Sequence, residues 1–203
     1  CCHKAGIQVK ASKVKFGVQK VTFHNYAISK EGAEPKEANL CPIRNMQTPK
    51  DIAQVRAFLG CCQQLANYAQ DYGIIARPLQ NLTKGKTPFP NPWIEGSDYD
   101  ISFHRMKAAM LDGSRYLYNK DPTQRLFIEV DASDAGWGAR AYQMSPWDGD
   151  PADEGRSRIN DKGKRKAIQW ISKARTAREL KMPALYRESL ARLLALEKFQ
   201  NLI

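Results

Sequence analysis

The chain has 203 residues, of which 42% are hydrophobic and 9% aromatic, enough apolar material for one large domain or two small ones. Lys and Arg number 32 against 21 Asp and Glu, giving a net charge of +11. This charge favours a polyanionic partner, nucleic acid before a membrane surface. No apolar run approaches the roughly 18 residues of a membrane span, and the N-terminus lacks a signal-peptide pattern. We therefore expect no membrane span and no secretion.

Cysteine usage offers no recognisable zinc site. The five cysteines form two adjacent pairs and a singleton, without a C-x-x-C spacing, and the chain has only three histidines. This pattern predicts reduced thiols in an intracellular compartment. The sequence starts on Cys1 and stops at "FQNLI", inside an apolar helical pattern without a cap. We expect the chain to be a piece of a longer protein.

The N-terminal part predicts a hairpin followed by helices. Residues 9–29 alternate in the manner of strands, most clearly around Val21, Phe23 and residues 26–28, the period expected of extended chain. Residues 30–42 predict an irregular connection.

Two helices are predicted next. The stretch "TPKDIAQVRAFLGCC" indicates a helix over 49–62 with Thr48 as its N-cap, because a capping side chain is followed by proline and an apolar stripe. The second helix is predicted from Gln63 to about Tyr72.

A proline-rich stretch divides the chain. Residues 74–93 contain four prolines, and we place a domain boundary within them. An amphipathic helix is predicted over 99–113, with Phe103, Met106 and Met110 on its inward face.

Residues 126–144, "LFIEVDASDAGWGARAYQM", predict two strands joined by a tight turn. Alternate apolar residues line one face of the first strand, and Asp131 ends it. Gly136 and Gly138 allow the chain to return as a second strand. A turn-capping role and a functional role both fit the carboxylate at this position.

The remaining segments predict a charged, glycine-rich surface insertion over 145–166, a short strand over 167–172 and a final helix over 185–203. Glu188 on this helix has two interpretations. It could pair with Arg192 at i+4. Alternatively it points at Asp131, in which case a divalent metal or a proton must join the two acids.

An ordered series of motifs spans almost the whole chain. The segments are "FHNYAISKEGAEP", "TPKDIAQVRAFLG", "IIARPL", a Trp followed by "SFHRMKAAML", "KDP", "DASDAGWGARAYQ", "ISKARTARE" and "RESLARLLALEKFQNLI". In order and spacing this series resembles the end of the reverse transcriptase and the beginning of the ribonuclease H of gypsy-type LTR retrotransposon polyproteins. Related plant pararetroviral polymerases are a close second.

The resemblance implies a mixed α/β fold. We expect a small hairpin-plus-helix thumb and connection region followed by an incomplete ribonuclease H-like mixed sheet with a packed helix. The implied division is 1–80 for the end of the reverse transcriptase palm and thumb, 81–113 for the connection helix region and 114–203 for the N-terminal part of the ribonuclease H-like domain.

The resemblance also implies the chemistry. It matches Asp131 to the first metal-binding aspartate of the ribonuclease H and Glu188 to the metal-binding glutamate, and both would be catalytic. The implied reaction hydrolyses the RNA strand of an RNA/DNA hybrid with two Mg²⁺ ions about 3.5–4 Å apart. Carboxylates suit this ion because it prefers oxygen ligands.

Nucleic-acid contacts are implied for a primer-gripping hairpin and a thumb helix, and a basic segment offers a further candidate. This basic segment fits a solvated loop equally well. The predicted contact residues are Phe23, His24, Asn25, Tyr26, Gln54, Arg56, Arg156, Arg158, Lys164, Arg165 and Lys166.

The sequence departs from the family pattern in ways that leave two functions open. The polymerase aspartates lie upstream of the matched region, and the other ribonuclease H carboxylates are expected after Ile203. Arg140 stands where a small apolar residue is usual, and burying it is costly unless it reaches solvent or an anion. The chain is then either an enzyme fragment that binds RNA/DNA hybrid, or a domesticated, catalytically silent remnant. The remnant would serve as a structural or RNA-binding subunit of a larger assembly.

Overall fold

A computed structural model describes residues 14–85, 88–112, 116–144 and 165–203 continuously. Its helices and strands are β1 (Lys20–Phe23), β2 (Tyr26–Ser29), β3 (Gly32–Pro35), α1 (Glu37–Asn45), α2 (Ile52–Gln63), α3 (Tyr72–Ile75), α4 (Arg77–Thr83), α5 (Asp98–Leu111), β4 (Leu117–Tyr118), β5 (Phe127–Ala132), β6 (Gly136–Met144), β7 (Arg165–Ala174), α6 (Ala177–Leu180) and α7 (Ala184–Lys198). The fold is mixed α/β, as predicted. None of the helices described is long and apolar enough to cross a membrane.

The first sheet has the order β1-β2-β3-β4 and is antiparallel. The predicted hairpin is confirmed as β1 and β2. The irregular connection predicted over 30–42 is wrong, because this stretch contains β3 and the beginning of α1. Pairing of β3 with both β2 and β4 satisfies its backbone groups, and α1 is held by burial of Ile43.

The predicted helix starts differ from the structure. Helix α2 begins at Ile52 rather than at 49, because the Asp51 carboxylate caps it by accepting the backbone N–H of Gln54 at 2.7 Å. The predicted helix from Gln63 to Tyr72 is absent. Instead the chain forms a 3-10 turn over Ala66–Tyr68, and Asp71 adopts a left-handed φ of 60° before α3, a conformation that interrupts a right-handed helix.

The helical part has one core shared by α2, α4 and α5. Its fully buried residues include Val55, Phe58, Leu79 and Met106. Helix α4 lies within the proline-rich stretch, with Pro78 in its first turn, where a missing N–H breaks no helical bond. The predicted helix over 99–113 is confirmed as α5.

The second sheet has the order β5-β6-β7 and is antiparallel, with α7 packed on one face. Ala191 and Ala195 of α7, and Phe199 directly after its end, are buried against Trp137 and Ala139. The predicted strand over 167–172 is longer in the structure, since β7 extends over Arg165–Ala174. Most of the predicted surface insertion, residues 145–164, lies outside the described residues.

Close backbone packing joins the helical part to the second sheet. The Gly73 N–H of α3 donates to the Ser172 hydroxyl at 2.7 Å. A Cβ at Gly73 would lie 2.8 Å from the Ser172 carbonyl oxygen, nearer than side chains normally approach. Glycine therefore permits α3 to lie directly on β7.

Asp100 ties α5 to the loop before it. Its carboxylate accepts the backbone N–H of Gly96 at 3.0 Å and the Trp93 indole N–H at 2.9 Å, and these bonds lower the pKa of Asp100 below its ordinary value. A lowered pKa in the folded state gives stabilisation that is present above the unfolded-state pKa. This stabilisation is lost as the pH falls through the folded-state pKa.

We expect Asp100→Asn to reduce the free energy of unfolding by about 1–2 kcal/mol at pH 7, because its amide nitrogen cannot accept a hydrogen bond. At pH 3 the deficit should be smaller, because protonation of the wild-type Asp100 carboxylate then begins to remove the stabilisation that its hydrogen bonds provide. Urea unfolding at the two pH values measures this, with the exposed Asp98→Asn as control. An equal deficit at both pH values would contradict the assignment.

Candidate functional site

Asp131 lies at the end of β5, on the face of the sheet opposite to α7. It pairs with Gly138 of the neighbouring strand β6. The apolar residues Ile128 and Val130, which precede it on β5, pack with the cluster that contains Ala195 of α7. Because side chains alternate along a strand, Asp131 is directed to the other face. The strand end predicted for Asp131 is thus found, at an open position beside a glycine.

A second carboxylate, that of Asp71, approaches the same position. A Cβ at Gly138 would lie 3.0 Å from Asp71 Oδ1. The pKa of Asp71 is raised by burial and by the charge of Asp131, while Arg105 opposes this increase. A proton or a cation between two neighbouring carboxylates reduces the repulsion between their negative charges. Sequence reasoning missed Asp71, because only the folding of α3 onto the sheet brings it close to Asp131.

A cleft of about 420 Å³ contains both aspartates, together with Glu129 and Arg140. The Arg140 guanidinium pairs with Glu129 and lies 4.7 Å from the Tyr142 ring and 4.9 Å from the Trp170 ring. These contacts explain how the strand tolerates an arginine that is only 18% exposed. Of the two alternatives expected for Arg140, solvent or an anion, the structure shows an anion, the Glu129 carboxylate.

Glu188 lies in the second turn of α7, where its carboxylate is 3.7 Å from Arg192 Nη2. The neighbouring Arg187 donates to Asp134 in the β5–β6 turn at 2.5 Å, so this end of α7 lies beside the turn that follows Asp131. In the described ranges no three His, Cys, Asp or Glu side chains form a group that could hold a metal. Convergence of Glu188 on Asp131 stays a prediction.

The predicted primer-gripping hairpin packs against the C-terminal end of α2. Asn25 Nδ2 donates to Gln64 Oε1 and the Tyr26 hydroxyl donates to the Gln64 carbonyl oxygen, both at 2.9 Å. His24 occupies the turn with a φ of 48°. Phe23 stays 58% exposed, so its ring is available for contact with a partner.

The candidates on α2 are both at the surface. Gln54 Oε1 accepts the backbone N–H of Lys50 at 2.9 Å, and Arg56 donates to the Thr83 carbonyl oxygen at 3.3 Å. The Thr83 carbonyl oxygen is uncharged, so it does not neutralise the positive charge of Arg56. This helix face can therefore attract a phosphate.

The basic segment is described only from residue 165 onwards. The Arg165 side chain is largely buried and pairs with Glu129 at 3.3 Å, while the Lys166 ammonium lies 5.5 Å from the centre of the Tyr118 ring. Arg156, Arg158 and Lys164 lie outside the described residues. Part of the predicted basic surface is thus used within the fold.

Residues 121–203 match the family described as the RNase H-like domain found in reverse transcriptase. This matched part of the chain, which contains the second sheet and α7, is similar to that family over its whole length. Asp131 lies near the beginning of the matched residues, on the first strand of the second sheet.

Known proteins are similar to this chain outside residues 121–203 as well. The chain is 24% identical over its whole length to the retrovirus-related Pol polyprotein from transposon gypsy of Drosophila melanogaster, of which it spans 18%. It is 32% identical over 82 residues, 40% of the chain and 8% of the relative, to the Pol polyprotein from transposon opus of the same fly. It is 25% identical over 68% of its length to 12% of the Pro-Pol polyprotein of simian foamy virus type 1. The recognition of a gypsy-type pol segment is confirmed.

Solved structures share the fold. The foamy viral protease-reverse transcriptase in complex with RNA/DNA hybrid superposes with a TM-score of 0.66 at 20% identity, over 91% of this chain and 22% of that one. The same protein in complex with dsDNA gives a TM-score of 0.66 at 20% identity, over 91% of this chain and 34% of that one. These similarities confirm the predicted fold class.

Proposed function

We propose that this chain is a reverse transcriptase/ribonuclease H segment of a retroelement polyprotein that binds an RNA/DNA hybrid. In a protein that continues past residue 203, Asp131 and Glu188 would serve in hydrolysis of the RNA strand. The observation that carries the proposal is the position of Asp131, at an open strand end inside the region that matches the RNase H-like family. The fold shared with a protein captured on RNA/DNA hybrid gives support.

The residues at this strand end suit a divalent metal in part. Asp131 offers oxygen ligands, which Mg²⁺ prefers, and its repulsion with Asp71 is relieved by a cation. Bound Mg²⁺ would supply an activated water and neutralise charge on the scissile phosphate. Asp131 would hold the positive charge of the metal at the sheet edge. The further carboxylates implied by the family would complete the ligand set.

The alternative is a catalytically silent remnant that binds RNA or serves as a structural subunit of a larger complex. The observation that favours it is the contact of Glu188 with Arg192, which is the ordinary i to i+4 pair that the sequence also allowed. Nucleic-acid binding is common to the enzyme fragment and an RNA-binding remnant but is not required of a structural subunit, and only the enzyme fragment requires a metal.

Binding to RNA/DNA hybrid is the first expected result. Fluorescence anisotropy with a labelled hybrid should give an association constant that falls with salt, with a log–log slope of about −0.9 per phosphate contact. Arg56→Gln should make this slope shallower by about one contact, and Phe23→Ala should weaken binding. Phe16→Ala, which changes a ring that is 89% exposed outside the predicted surface, is the control. A salt-independent constant or no binding would contradict the proposal.

A further inference from the structure

A second cleft, of about 710 Å³, lies between the helical part and the second sheet. Its walls come from α4, from the end of β7 with the start of α6, and from the C-terminal end of α7. Five cations line it, and no Asp or Glu is among the lining residues that the structure describes. These cations are Arg77, Lys84, Lys173, Arg175 and Lys198.

In the described part of the chain, four of the five positive charges carry no ion pair, and three of these four are not buried in the protein. Lys173 lies 3.4 Å from Glu179, and the Arg175 guanidinium is buried and donates to the Ser133 carbonyl oxygen. In the ranges that the structure covers, no carboxylate pairs with Arg77, Lys84 or Lys198. The cleft therefore has a surplus of positive charge, contributed by opposite walls.

Neutral hydrogen-bonding groups accompany these charges. The side-chain amides of Asn67 and Gln80 line the cleft. Trp170, Ser172 and Thr176 line it as well. Amide and hydroxyl groups of this kind donate to phosphate oxygens.

We propose that this cleft binds backbone phosphates of a nucleic acid without reading its sequence. The inference rests on the proposed function, because the hybrid is the strand that would enter the cleft. Phosphate oxygens are the ligands that match unpaired Lys and Arg together with amide donors. The spread of charges from α4 to α7 suits a chain of phosphates rather than a single one. Sequence reasoning missed the site, since its cations come from separate elements.

The test compares two double variants that each remove two positive charges. Lys84→Gln with Lys198→Gln changes exposed cleft residues, and Lys30→Gln with Lys181→Gln changes exposed residues outside the cleft. We expect the cleft variant to bind hybrid on the order of tenfold more weakly at low salt, with a log–log slope shallower by about 1.4–1.8. The control variant should stay near the wild-type affinity. Equal melting temperatures would show that both variants fold.

The outcomes separate this inference from the proposed function. Absence of hybrid binding by the wild-type chain overturns the proposed function and this inference with it. Hybrid binding by the wild type with equal affinities for the two double variants overturns only the cleft. Inorganic pyrophosphate distinguishes the sources of phosphate. If the cleft variant loses pyrophosphate binding but keeps its affinity for hybrid, the ligand is a free phosphate compound and the inference is wrong.

Discussion

Gly136→Ala is expected to reduce the free energy of unfolding by about 2–3 kcal/mol. A Cβ at Gly136 would lie 2.5 Å from the Lys173 carbonyl oxygen and 2.6 Å from Ile74 Cγ1. The carbonyl is fixed by the pairing of β6 with β7, so it cannot move without disturbing the ladder. The Ile74 contact adds a second conflict, because α3 is packed against the same strands.

Gly60→Ala is the matched control for this substitution. Gly60 lies in α2, where an added Cβ would meet no atom within 4 Å, and alanine is favoured over glycine in a helix by about 0.5–1 kcal/mol. Urea unfolding followed by circular dichroism should show Gly60→Ala at or above wild-type stability. A Gly136→Ala protein as stable as Gly60→Ala would contradict the close packing described here.

Local sequence patterns predict those strands and helices whose own residues favour the structure that they adopt. The alternation around Val21 and Phe23 predicts β1, and the apolar stripe with Phe103 and Met106 predicts α5. Strand β3, "GAEP", has no β-branched or aromatic residue, so its sequence carries no strand signal. It is a strand because β2 and β4 pair with it on either side.

Helix starts were less predictable, because two capping residues compete. Thr48 and Asp51 both precede the same apolar stripe, and the structure uses Asp51. A single sequence does not say which side chain reaches the free backbone N–H groups. The break at Asp71 is also hard to predict, because residues other than glycine rarely adopt its left-handed φ.

The residues of the candidate site also differ in whether the sequence alone predicts them. Asp131 was found because a strand end and a glycine turn mark it, and Glu188 because helical spacing marks its face. Asp71 carries no such mark, and the cations of the second cleft are scattered between residues 77 and 198. Sites assembled from distant segments become visible only once the chain is folded.

Asp131→Asn is expected to have the largest effect on activity. In a form of the protein that continues through the rest of the RNase H-like domain, this change removes a charged ligand oxygen from the metal site. The rate of cleavage should fall by more than the about 10- to 100-fold loss caused by removing a residue that only supports a ligand. Glu188→Gln should have a similar effect, and the two losses should not add when combined, because both residues serve one site.

Asp134→Asn provides the control. Asp134 is 88% exposed in the turn next to Asp131 and pairs with Arg187, so its substitution should leave cleavage within a few-fold of wild type. Hybrid affinity measured without Mg²⁺ should be retained in all three variants, since none of them removes a positive charge from the protein. A loss of affinity in Asp131→Asn would indicate misfolding rather than loss of a ligand.

The most direct test is the initial rate at which the longer protein releases labelled RNA from an RNA/DNA hybrid in Mg²⁺, for the wild type, Asp131→Asn and Asp134→Asn. We predict cleavage by the wild type and by Asp134→Asn, and bound but uncleaved hybrid with Asp131→Asn. Cleavage by Asp131→Asn at the wild-type rate would contradict the assignment of the metal site. A wild-type protein that binds hybrid without cleaving it would instead favour the catalytically silent remnant.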